Sequence, residues 1–377
     1  MSGVAGVAVD QDDVIIRREG AAGVLRLNRP KTINALTLEM VRHVDVALDR
    51  FEADAAVALI LLEGAGERGL CAGGDIRGLY DSARVGGDLG KVFWGEEYIV
   101  NARIDSYPKP YVAFMDGIVM GGGVGVSVHG SHRVAGDRFR FAMPEVGIGF
   151  FPDVGATWFL PRLPGEVGTY CALTGERLDA ADGIAAGIAT HRVASARFAE
   201  LADALCGAVP VDAILAKFAE SSPSPRLRGE GRGRGPDGGT GKEEPVMARR
   251  TAIERMFAAA RVEDILYALD SEAASASADA EWSRLTAAAI RTKAPLSLKI
   301  ALAQMRRGRT WPFEACMKAE MRIVSRVAYG EDFYEGIRAV IVDKDNRPRW
   351  RPTTLAEVTD ASVEAHFAPI AAELALP

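Results

Sequence analysis

Apolar residues recur along the first half of the chain in two alternating rhythms. Gly23 to Leu27 reads as a short strand, closed by the turn Asn28-Arg29-Pro30-Lys31. From Thr37, a residue suited to cap a helix, Leu38, Val41, Val44, Leu48 and Phe51 follow at helical spacing. Val57 to Leu62 is a continuous aliphatic run, the pattern of a strand covered on both faces. A glycine-rich loop with Gly64, Gly66 and Gly69 comes next, and Cys71-Ala72-Gly73-Gly74-Asp75 opens another helical stretch. Tyr111 to Met115 repeats the buried-strand pattern, and Gly121-Gly122-Gly123 leads into an apolar helix. Strands alternating with helices, with glycines at the turns, predict an α/β core over residues 14–193.

The rhythm then changes. Ala196 to Glu220 and the alanine-rich stretch from Val262 onward read as helical, so residues 194–377 form a mainly helical C-terminal region. Between them, Ser221 to Pro245 is dominated by Ser, Pro, Gly and Arg. Such a segment buries too little apolar surface to offset the entropy of ordering it, and predicts a flexible surface insertion over 221–245. Its arginines and glycines suit a nucleic-acid tail only superficially, because interleaved aromatics are missing. No internal repeat of fixed period is visible.

Composition narrows the class. With 377 residues, 48% hydrophobic and 25% charged, the chain can supply a full core. A net charge of −6 gives no global basic field for nucleic acid or an anionic membrane. Cys71, Cys171, Cys206 and Cys316 form no CxxC pair, so neither a zinc knuckle nor a redox motif is expected. Met1 to Asp13 lacks the basic start and apolar stretch of a signal peptide, and no apolar run approaches the ~20 residues of a membrane span. A cytoplasmic enzyme is the expectation.

Two glycine turns carry the candidate chemistry: Cys71-Ala72-Gly73-Gly74-Asp75-Ile76 and Met120-Gly121-Gly122-Gly123-Val124-Gly125. Where a strand hands the chain to a helix N-terminus, several N–H groups lack an intrahelical partner, and glycine lets a reacting carbonyl approach them. Two such N–H groups aimed at one point would make an oxyanion hole. For either turn alone, tight packing explains the glycines equally well. Neither has the spacing of a nucleotide-binding loop. Glu145 and Asp153 are carboxylates within an apolar, glycine-rich run, where desolvation would raise their pKa and suit them to proton transfer. Taken singly, Asp153 is better read as the cap of the helix that follows. Ser127 misses the nucleophile-elbow motif, and Cys71 has no neighbouring histidine and reads as packing. His129 and His132 lack a third ligand, so no metal site is expected.

Together these motifs resemble those of the crotonase superfamily. Cys-Ala-Gly-Gly-Asp-Ile, Met-Gly-Gly-Gly and the Pro-Glu at 144–145 match three of its signatures; Asn28 to Lys31 with Asn34-Ala35-Leu36, and Phe333 to Ala339, match its first and last. The resemblance covers Val14 to about Val358. It implies a crotonase fold of repeated ββα units followed by a helical C-terminal region, with a CoA thioester held by the N–H groups of Gly74 and Gly122. Enoyl-CoA hydratases of the superfamily carry a glutamate just after the triple glycine, where this chain has Gly125. Instead Trp94-Gly95-Glu96-Glu97-Tyr98, Gly149-Phe150-Phe151-Pro152-Asp153, and Asp343-Lys344-Asp345 with Pro348 and Trp350 resemble the 3-hydroxyisobutyryl-CoA hydrolase family, which acts in valine catabolism. That resemblance implies that Glu145 attacks the thioester or activates water, that Asp153 serves the 3-hydroxyl, and that Glu97 contacts substrate. It implies no metal or redox cofactor, since coenzyme A enters with the substrate. Acyl-CoA is then the small-molecule partner, without nucleic acid or membrane, and homo-oligomerisation stays open. The alternatives are a hydratase/isomerase of the same fold, or a non-catalytic acyl-CoA-binding protein. Arg29 and Lys31 read as solvated surface charges that reach CoA phosphates at most.

Overall fold

The computed structural model describes residues 9–11, 13–207, 210–220 and 245–376; the insertion expected over 221–245 therefore falls, except for Pro245, outside the described residues. Strands β1 (Val9–Gln11), β2 (Val14–Glu19), β3 (Ala22–Leu27) and β4 (Leu59–Gly64) precede β5 (Gly69–Cys71). Then come β6 (Tyr111–Met115) with β7 (Ile118–Met120), β8 (His132–Ala135) with β9 (Arg140–Ala142), and β10 (His191–Arg192). They sort into a large sheet, β1-β2-β3-β4-β6-β8-β10, and a small one, β5-β7-β9. The β1, β2 and β3 pairs are antiparallel, and every other pair is parallel. Successive strands thus alternate between the sheets before a helix returns the chain, the ββα repeat of the crotonase fold.

The aliphatic strands are buried on both faces because the period of two divides them between two cores. Ile60 and Leu62 of β4 join the main cluster, while Leu59 and Leu61 join a second one with Val24, Val112 and Val134. Helices Phe198–Leu205 and Val211–Phe218 cover that second face with Leu201, Leu205, Leu215 and Phe218. On the other side lie α1 (Leu38–Ala53), α2 (Ile76–Arg84), α3 (Leu89–Asp105) and α4 (Gly122–Val128). Thr37 caps α1 as its sequence suggests, accepting the Met40 N–H at 3.2 Å.

The C-terminal helices add no separate core, since the main cluster runs continuously from Val14 to Leu374. Phe333, far along the chain, packs edge-on to Trp94 and tilted against Phe150, with ring centroids 5.9 and 5.1 Å away. The helical pattern from Val262 breaks over residues 343–354, where Pro348 and Pro352 supply no N–H. Among the described residues, no helix is long and apolar enough to cross a membrane.

Candidate active site

The small parallel sheet builds the site. Its three strands point the same way, so their C-terminal ends lie side by side and deliver Ala72–Asp75 after β5, Gly121–Gly122 after β7 and Met143–Glu145 after β9. All three sequence motifs converge at one sheet edge.

In the first elbow, Leu36 pairs with Gly74 as a one-residue parallel bridge. The Leu36 N–H donates to Gly73 O at 2.8 Å and the Asp75 N–H donates to Leu36 O at 2.7 Å. By the alternation of extended chain, the intervening Gly74 N–H points away from Leu36. Gly73 has φ +115°, a conformation side chains resist. Arg29 braces the same turn through Asp75 Oδ2 (3.1 Å) and Ala35 O (2.6 Å). The expected solvated role for Arg29 is therefore corrected: its fork fits an internal carboxylate and carbonyl. Lys31 is exposed, as read.

The second elbow turns at Gly121 (φ +48°), and Gly122 opens α4, where an N–H has no partner within the helix. The elbows face each other. A methyl group placed on Gly122 would lie 3.4 Å from the Gly74 nitrogen and 2.4 Å from Glu97 Oε1. One on Gly121 would lie 3.2 Å from Gly73 Cα and 3.5 Å from Glu145 Oε1. They border a cavity of about 340 Å³ that Glu97, Glu145 and Asp153 also line. Phe93, Trp94 and Phe150 form its apolar wall, while Lys293 and Val340 come to it from the C-terminal region.

The three carboxyl groups are 2% (Glu97), 7% (Glu145) and 4% (Asp153) exposed. Glu145 Oε2 and Glu97 Oε1 are buried without a hydrogen-bond partner, while Tyr98 donates its hydroxyl to Asp153 Oδ2 at 2.9 Å. Burial, reinforced by Asp153, pushes the Glu145 carboxyl well above its ordinary range. Burial also raises Asp153, to about 7, outweighing the Tyr98 hydrogen bond. Glu97 is raised by burial and then by Asp153 and Glu320. Acids raised in this way keep their protons to higher pH than free carboxyl groups, which suits them to proton transfer.

The other candidates fall elsewhere. Asp153 does not cap the following turn Ala156–Phe159; Gly155 stands at that position without a side-chain bond. Cys71 is buried, and burial pushes its thiol up to about 12. Ser127 donates to Gly123 O inside α4 at 2.6 Å. The two histidines separate, His129 donating from Nε2 to Val154 O (2.8 Å) and His132 facing Asp212 (3.0 Å). Sequence reasoning missed Tyr98, Asn101, Lys293 and Glu320. Asn101 and Glu320 could have been flagged as polar residues at core spacing in apolar helix stripes, the position Glu97 shares.

The model of the enoyl-CoA hydratase/isomerase family matches residues 22–367. The chain belongs to that family. Curated relatives include the 3-hydroxyisobutyryl-CoA hydrolase, mitochondrial, of Danio rerio, 40% identical over 94% of this chain and 89% of its own length. The 3-hydroxyisobutyryl-CoA hydrolase 1 of Arabidopsis thaliana is 40% identical over 95% of this chain and 92% of its own. These relatives set the chain within the 3-hydroxyisobutyryl-CoA hydrolase branch of the family, as its motifs suggest. Among solved structures, a carnitinyl-CoA dehydratase from Mycobacterium thermoresistibile superposes with TM-score 0.85 at 42% identity, covering 97% of this family member and 99% of the other chain. An enoyl-CoA hydratase from Rhodobacter sphaeroides gives TM-score 0.82 at 34% identity, covering 97% and 100%.

Proposed function

We propose that this chain hydrolyses the 3-hydroxyisobutyryl-CoA thioester to 3-hydroxyisobutyrate and coenzyme A, a step that belongs to valine breakdown. One observation carries the reading: two glycine elbows meet beside a buried glutamate whose Oε2 is unpartnered. The thioester oxygen takes the Gly74 and Gly122 N–H groups, which stabilise the oxyanion in a water-poor cleft. Each such donor is worth roughly 2.7–4 kcal/mol of barrier. Ionised Glu145 either attacks the carbonyl carbon and expels the CoA thiolate, leaving an anhydride for water to cleave, or takes a proton from an attacking water. Asp153 binds the 3-hydroxyl and moves a proton, and Glu97 positions the acyl group. The Lys293 ammonium lines the cavity with no hydrogen bond or ion pair among the described residues, which suits it to the anionic part of CoA. No metal or redox group enters this scheme.

The competing reading is hydration of an enoyl-CoA, which the names of the two solved structures favour. Gly125 weighs against it. A Cβ there would lie 2.8 Å from both the Asn101 amide and Val154 Cβ, so the hydratase glutamate has no room. Thiol release from 3-hydroxyisobutyryl-CoA, run beside hydration of crotonyl-CoA, tests the choice. Rapid hydration without thiol release would reject the hydrolase reading. Single-turnover hydrolysis in ¹⁸O-water then separates the two Glu145 routes, because label entering Glu145 requires the anhydride.

A further inference from the structure

Asp153 sits at the start of a turn that the chain would not adopt unaided. Val154, a β-branched residue, has φ +52°, and Gly155 has φ +89°. Side chains from four distant places hold this turn. Tyr98 of α3 binds the Asp153 carboxyl, and His129 donates to Val154 O. Gln304, on helix Pro295–Gly308, donates to Pro152 O at 3.0 Å and to Thr157 Oγ1 at 2.7 Å. Glu320, on helix Phe313–Val327, accepts the Gly155 N–H at 2.7 Å and the Thr157 N–H at 2.8 Å, one on each oxygen. Neither Gln304 nor Glu320 lines the cavity, and both are fully buried.

We propose that Glu320 is a positioning residue for Asp153, fixing its turn through two main-chain N–H groups. An oxygen accepting an N–H on each side is the geometry of a carboxylate, and the two bonds favour a charge there. Glu97, Tyr98, Glu145 and His129 face the Asp153 turn from the surrounding elements, and Cys316 lies on Glu320's own helix. Among the described residues no arginine or lysine forms an ion pair with Glu97, Glu145, Asp153 or Glu320, so nothing cationic offsets the repulsion between these acids. Burial raises Glu320, to about 8, the Gly155 and Thr157 N–H groups opposing and Asp153 adding. Glu320 thus keeps its proton to a higher pH than Asp153 and adds no charge while Asp153 ionises.

This inference rests on the hydrolase reading, and its test separates the two. The limb of the kcat pH profile that D153N abolishes identifies Asp153. Glu320→Gln keeps one acceptor for the turn and loses the other, so it should lower kcat about tenfold on 3-hydroxyisobutyryl-CoA and far less on isobutyryl-CoA, which offers Asp153 no 3-hydroxyl, with that limb unmoved. Gln304→Leu loosens the same turn without a charge change and should lower kcat with the limb unmoved. Glu320→Asp keeps both oxygens on a shorter stem and should behave like Gln304→Leu, which covers the case in which the glutamine variant does not fold. A Glu320→Gln or Gln304→Leu enzyme that is slowed equally on both substrates overturns the positioning role. Should wild type release no thiol at all, the hydrolase reading fails; the ¹³C-carboxyl NMR resonance of Asp153 in wild type and Glu320→Gln then decides the positioning directly, an unchanged resonance refuting it.

Discussion

Adding one methyl group at Gly122 tests the proposed oxyanion site most directly. The new Cβ would lie 2.4 Å from Glu97 Oε1, 3.0 Å from Leu36 Cδ1 and 3.4 Å from the Gly74 nitrogen. It enters the gap between the two donors. Backbone strain is small, because Gly122 is not among the positive-φ glycines and opens a helix that alanine favours. The stability penalty is overpacking against a carboxyl group that can rotate, roughly 1–3 kcal/mol. The catalytic penalty is the misalignment of a donor, roughly 10²–10³ in rate. Gly123→Ala makes the contrast, since its Cβ would meet the Cys71 carbonyl oxygen at 2.5 Å, and backbone there cannot give way. Thiol-release kinetics and thermal unfolding should therefore separate the pair. Gly122→Ala loses at least about 100-fold in kcat with a modest fall in melting temperature, while Gly123→Ala chiefly loses stability. A Gly122→Ala enzyme within about threefold of wild-type kcat would refute the placement of the oxyanion.

Glu145→Gln should lower kcat by roughly 10²–10⁴ while leaving the fold intact, checked by turnover beside circular dichroism. The raised pKa values of Glu145, Glu97 and Asp153 also make a stability prediction. The folded state binds more protons than the unfolded one, so their contribution is complete below the ordinary carboxylate range and is lost as pH rises, for Asp153 through about 7. Urea unfolding of wild type should accordingly weaken between those limits, and a slope equal to that of the Asp153→Asn variant would contradict the Asp153 share. Lys293→Met should raise KM for the CoA thioester and leave KM for the matching pantetheine thioester unchanged; equal effects on both would remove the phosphate role.

The elements that local pattern specifies were readable from sequence: the aliphatic strands, the capped α1 and both glycine elbows. Glu145 and Asp153 were legible because a carboxylate in an apolar run demands a reason. What escaped was decided by tertiary approach. Arg29 looks like any turn arginine until Asp75 arrives beside it. Glu320 reaches Gly155 from a C-terminal helix that reads as ordinary amphipathic packing, and only its place between Met317 and Val324 on the buried stripe marks it as unusual. Lys293 lies in a short connector between two helices, where no periodicity constrains a lysine and only the folded chain brings it to the cavity.

The bridge between Leu36 and Gly74 has a consequence for how this enzyme tolerates change. The Gly74 donor is oriented by main-chain atoms of Leu36, so replacing the leucine side chain alters packing yet leaves the orienting bonds in place. Proline at that position would erase the amide that grips Gly73 O and free the loop to rotate. A substitution at a residue that lines no part of the cavity could in this way silence the catalyst while each cavity side chain kept its identity.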